Sequence, residues 1–142
     1  MIRRANYRDV DAINEIGKQL HDNFAYLYKM DETLNTTYSR IYVYEDNEGI
    51  KGFIHVDSHF EIMDLINIIV LESEQNKGIG KQLLEFVINN EEYEKIMLEV
   101  RENNSRAIHL YEKYGFKEIY RRQKYYGEED AIIMERRKDN AN

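Results

Sequence analysis

The chain predicts a mixed α/β domain built on a largely antiparallel sheet. Short β-branched and aromatic runs recur, as in Ile-Tyr-Val-Tyr at 41–44 and Gly-Phe-Ile-His-Val at 52–56. Helical periodicity separates some of these runs and not others, so hairpins and crossovers are mixed. One strand, turn, helix and strand between 60 and 101 has the length of a parallel βαβ unit.

Taken in order, Arg4, Ala5 and Asn6 suggest a short first strand, and Val10, Ile13, Ile16 and Leu20 the apolar stripe of a helix. Asp31 is placed to cap a second, short helix. Residues 41–44 and 52–56 flank the turn-rich Asp46-Asn-Glu-Gly49 and predict a hairpin. A third run, 60–71, leads into a glycine turn and a helix over 78–90. Residues 95–101 are a strand, and 103–114 a helix ended by Gly115. Strands near 116–126 and 130–137 close the chain. The expectation is a twisted sheet of about seven strands flanked by about four helices. At 142 residues the length suits one domain, 1–142, and no composition shift marks a boundary within it.

Composition removes several classes of function. There is no cysteine, hence no disulfide, no thiolate nucleophile and no Cys-based zinc site. No apolar run approaches the ~18 residues of a membrane span, and the N-terminus turns polar at once, so a cytoplasmic location is expected. A net charge of −7 argues against nucleic acid and suits a cationic partner. Arg121, Arg122, Lys124, Arg136, Arg137 and Lys138 are expected on the solvated face of a terminal hairpin.

The most informative segment is Gln75-Asn-Lys-Gly-Ile-Gly-Lys81, between a β-branched run and an amphipathic helix. Such a junction points backbone N–H groups and the positive end of a helix dipole at one place, which suits a phosphate. Gly78 and Gly80 allow close approach of the backbone, and Lys77 and Lys81 add positive charge. It is not a Walker A loop, because Gln75 stands where that motif needs glycine and Gln82 follows Lys81. It is not a dinucleotide fingerprint either, because Leu83 occupies the third glycine position. A plain tight turn remains open at this point.

A second group lies downstream. In Lys95-Ile-Met-Leu-Glu-Val-Arg101, Ile96, Leu98 and Val100 share one face and Met97 and Glu99 the other. A strand covered on both faces would place Glu99 near apolar surroundings and make it a candidate base; a surface glutamate is the alternative. Tyr111 shares a helical stripe with Ala107, Leu110 and Tyr114, as a core tyrosine or a proton donor. Asn103 and Asn104 stand where a helix cap is wanted. His55, Asp57 and His59 alternate along a strand and could converge on a metal, although a polar, solvent-facing strand edge accounts for them and no metal is expected.

Together, Ile68-Ile-Val70, Gln75-x-x-Gly78-x-Gly80 and Asn104…Ala107-x-x-Leu110-Tyr-Glu-Lys-Tyr-Gly-Phe116 resemble the GNAT family of acetyl-CoA-dependent N-acetyltransferases. The resemblance spans about residues 40–137. Leu98-Glu-Val-Arg101, Arg121-Arg122, Tyr125-Tyr126 and Asp130-Ala-Ile-Ile-Met134 are similar above all to the ribosomal-protein-alanine N-acetyltransferases. It implies a GNAT-like fold and transfer of acetyl from acetyl-CoA to a primary amine, such as the N-terminal amine of a basic ribosomal protein. By implication, the backbone at Ile68, Ile69 and Val70 pairs with the pantetheine arm. Gln75, Asn76, Lys77, Gly78, Ile79, Gly80 and Lys81 would hold the pyrophosphate, with Asn104 as a further contact. Glu99 would be the base and Tyr111 the acid, acting by direct transfer in a ternary complex, in a monomer or homodimer. Two stretches depart from the pattern: residues 24–30 lack the Pro-Trp pair common after the first helix, and only three residues separate Tyr126 from Asp130. Both regions help form the acceptor groove, so a polyamine, amino acid or aminoglycoside acceptor is the alternative. A non-catalytic acetyl-CoA sensor is another.

Overall fold

The computed structural model describes residues 1–138. Seven strands are present: β1 (Ile2–Arg4), β2 (Ser39–Asp46), β3 (Gly49–His59), β4 (Ile62–Val70), β5 (Lys95–Arg101), β6 (Lys117–Tyr126) and β7 (Glu129–Arg137). The helices are α1 (Val10–Gly17), α2 (Phe24–Tyr28), α3 (Met30–Thr33), α4 (Ile79–Asn90) and α5 (Ser105–Lys113). The strand order is β1-β2-β3-β4-β5-β7-β6, antiparallel except where β4 and β5 run parallel from Ile62↔Lys95 to Asp64↔Met97. The mixed, mostly antiparallel sheet is therefore as expected.

The chain forms two compact units, one of Met1–Asp57 with Ile66–Glu91 and one of Ser58–Leu65 with the described residues from Glu92 onward. In the first, Ile13 and Ile16 of α1, Phe24 of α2 and Met30 of α3 pack with Ile41, Val43, Phe53 and Ile69. Phe24 stacks on Tyr28 at 4.6 Å and meets Phe53 edge-on at 5.9 Å. Gly17 is required there, since a Cβ would sit 2.3 Å from the Phe24 ring. In the second, Ile96, Leu98, Val100, Phe116, Ala131, Ile132 and Met134 are buried. The β5–β7 register pairs Leu98 with Met134 and Val100 with Ile132.

Three local expectations are corrected. Asp31 does not cap a helix: Lys29, in the left-handed region at φ 42°, separates α2 from α3, and Asp31 lies inside α3. Leu20 falls beyond α1 and is exposed. Arg136 is buried rather than solvated, donating from Nε to the Tyr114 carbonyl at 2.7 Å and from Nη1 to the Tyr93 hydroxyl at 3.2 Å.

Candidate active site

In the first unit, β4 delivers Ile68, Ile69 and Val70 to the glycine turn. Leu71 keeps the strand's course by donating to the Lys51 carbonyl at 2.8 Å. A short 3-10 turn over Glu72–Glu74 follows, then Asn76 and Gly78 in the left-handed region at φ 69° and 84°. Gly78 is the N-cap of α4, and no side chain caps this end. The first N–H groups of a helix have no partner within it, so the turn presents uncapped donors at the positive end of a twelve-residue helix. Ile79, Leu83, Leu84 and Val87 are buried and fix that helix in place, while Gln75, Asn76, Lys77, Gly78 and Lys81 stay exposed. The Lys77 ammonium lies 3.2 Å from the Glu74 carboxylate, which reduces the positive charge it lends the turn. The Gln75 amide donates to the Val70 carbonyl at 3.2 Å, so its side chain braces the turn.

In the second unit, β5 carries Glu99 on a solvent-facing position between buried Leu98 and Val100. The apolar surroundings anticipated for Glu99 are absent. Its carboxylate instead accepts from the Tyr126 hydroxyl at 2.5 Å and lies 3.8 Å from the Arg122 guanidinium. Burial first, and then the bond to Glu99, push the Tyr126 phenol up to about 12. The Arg101 guanidinium stands over the Tyr126 ring at 4.2 Å, and Tyr125 meets Tyr126 edge-on at 5.2 Å. Tyr126, Arg122 and Arg101 thus hold the glutamate in a charged, aromatic surround that alternation along β5 alone did not indicate. The pairing of Tyr126 with Glu129 across a two-residue turn is the signal that aligns them.

Tyr111 lies on α5 with its ring 5.6 Å from Phe116. It keeps part of its surface exposed, yet burial alone pushes its phenol up to about 12. Asn104 caps α5, its Oδ1 accepting from the Ala107 N–H at 3.2 Å. The Asn103 amide donates to Glu129. No group of metal ligands occurs among the described residues. His55 is buried on an interior strand rather than at a solvent-facing edge. Its Nε2 lies 2.9 Å from Asp57 Oδ1, which also accepts from the Ser39 hydroxyl at 2.5 Å.

This order of strands and helices is matched among known proteins. The model of an acetyltransferase (GNAT) domain fits residues 37–118. An N-alpha-acetyltransferase of Sulfurisphaera tokodaii is 34% identical over 151 residues, covering 94% of this chain and 90% of that protein. The chain belongs to the GNAT acetyltransferase family. It is an acetyl-transferring enzyme. The ribosomal protein bS18-alanine N-acetyltransferase of Escherichia coli strain K12 is 47% identical over 79 residues, covering 49% of this chain and 52% of that enzyme. The chain thus matches about half the length of that relative. The crystal structure of the ribosomal-protein-S18-alanine N-acetyltransferase from Escherichia coli superposes with a TM-score of 0.87 at 29% identity. That match covers 100% of this chain and 96% of that one. No helix among the described residues is long and apolar enough to cross a membrane.

Proposed function

We propose that this GNAT enzyme transfers the acetyl group of acetyl-CoA to the N-terminal amine of a protein, by direct attack within a ternary complex. The observation that carries the donor half is the uncapped N-terminus of α4 behind Gly78 and Gly80. Its free amides and dipole suit a pyrophosphate, with Lys77 and Lys81 adding charge at the rim. The backbone of Ile68, Ile69 and Val70 pairs with the pantetheine arm, and the Asn104 amide adds a polar contact. Similarity along nearly the whole chain to a protein named N-alpha-acetyltransferase supports an α-amine as the acceptor.

The acceptor arrives as an ammonium and must lose a proton before nitrogen can attack. Glu99 takes that proton, directly or through water. The nitrogen lone pair then forms the amide bond to the thioester carbon, the C–S bond breaks with its electrons on sulfur, and the nitrogen releases its second proton to solvent. Tyr111 meets the departing thiolate. A phenol near 12 is a weak acid beside a thiol of about 8.5, so complete proton transfer is uphill by about 5 kcal/mol. Tyr111 therefore acts mainly as a hydrogen-bond donor to the thiolate, with solvent completing the protonation.

The test is a panel of N-terminal peptides, led by an Ala-initiated basic peptide, against spermidine, free amino acids and an aminoglycoside. Thiol release and product mass are the readouts. Acetylation confined to peptide α-amines is expected. Turnover only on small amines would replace the acceptor, and tight coenzyme A binding without turnover on any amine would make the protein a sensor.

A further inference from the structure

Gln19 lies two residues past α1, where its main chain continues the helical turn by donating to the Ile16 carbonyl at 3.1 Å. Its side chain is exposed yet makes two bonds to one stretch of main chain. The amide Nε2 donates to the Val70 carbonyl at 2.8 Å, and Oε1 accepts from the Glu72 N–H at 2.8 Å. These backbone groups lie where β4 ends and the chain turns away, and a main-chain group at such a point is costly unless a side chain or water takes it. One primary amide supplies both the donor and the acceptor, as a neighbouring strand would. Leu71 is held from another side by the Lys51 carbonyl, and Gln75 adds its own bond to Val70. The segment 70–72 is thus fixed immediately before the turn that leads into the uncapped N-terminus of α4.

From this we infer that Gln19 is a positioning residue for the donor: it sets the course of the main chain entering the turn at 75–81 and so preorganises the pyrophosphate cradle. The inference rests on the reading of that turn as the acetyl-CoA site. Preorganisation lowers the ordering cost of binding without touching the reacting atoms. Its loss therefore weakens donor binding and leaves chemistry at saturating donor unchanged.

The experiment compares wild type with Gln19→Met, which nearly keeps the volume and loses both bonds, and Gln19→Glu, which keeps an acceptor for the Glu72 N–H and loses the donor to Val70. Coenzyme A Kd by calorimetry is measured beside KM and kcat for acetyl-CoA and for the peptide. Two lost hydrogen bonds predict a rise of about tenfold in coenzyme A Kd and acetyl-CoA KM for Gln19→Met. kcat should stay within about twofold and peptide KM should not change. Gln19→Glu should also raise acetyl-CoA KM without moving kcat. A fall in kcat with unchanged Kd would mark general destabilisation and overturn the inference, as would unchanged Kd in both variants. Wild-type protein that binds no coenzyme A would remove the donor reading itself, an outcome distinct from the other two.

Discussion

Replacing Tyr111 by Phe removes one hydroxyl and leaves the ring packed against Phe116. Because burial holds this phenol near 12, it stays protonated throughout the working pH range and its deprotonation cannot shape the rate profile below about pH 10. What the variant loses is one hydrogen bond to a sulfur that becomes negative. Such bonds to charged partners contribute about 1.5–3 kcal/mol, which corresponds to a fall of roughly 10- to 150-fold in kcat. Full general-acid catalysis would be worth as much as about 10⁴-fold, and the uphill transfer argues for the smaller figure. The assay is thiol release with saturating acetyl-CoA and peptide between pH 6 and 10. Tyr111→Phe should lower kcat by that factor at every pH while acetyl-CoA KM changes little. A loss below about threefold, or a basic limb below pH 9 in wild type that disappears in the variant, would refute this reasoning.

Two further predictions concern the fold that carries the site. His55 is buried and its pKa is lowered by desolvation, against the opposing pull of Asp57. The unfolded chain therefore binds its proton first as pH falls, and stability drops with a slope of up to about 1.4 kcal/mol per pH unit below about pH 6.5. Urea midpoints at pH 7.5 and 5.5 should show this loss in wild type and a flatter response in His55→Gln; parallel curves would contradict it. Gly17→Ala places a Cβ 2.3 Å from the fully buried Phe24 ring. Overpacking costs about 1–3 kcal/mol, outweighing the better helix propensity of alanine, worth about 1 kcal/mol. The urea midpoint should fall, and a gain in stability would show that the ring has room to move.

Strand and helix identities were legible because the periodicities are local. In the run at 95–101 every second residue, Ile96, Leu98 and Val100, is a branched apolar side chain, and burial follows that period from Ile96 to Val100. The glycine turn was legible too, because left-handed residues and a helix start must be written into adjacent positions. What stayed hidden depends on sheet order. His55 looked like part of an exposed polar edge, but β3 is interior, and period-two alternation does not report how many faces of a strand are covered. Glu99 was expected near apolar side chains; its surround of Tyr126, Arg122 and Arg101 comes from a different hairpin and the strand's own end. Gln19 left no local trace, since its two bonds reach backbone groups more than fifty positions away.

The account turns on Glu99 as the group that frees the attacking amine. The most direct measurement is Glu99→Gln, assayed for peptide α-amine acetylation across pH beside coenzyme A binding by calorimetry. The account predicts a loss of about 10²-fold or more in kcat, with coenzyme A Kd within about twofold of wild type. Wild-type turnover in Glu99→Gln across the whole pH range would contradict it.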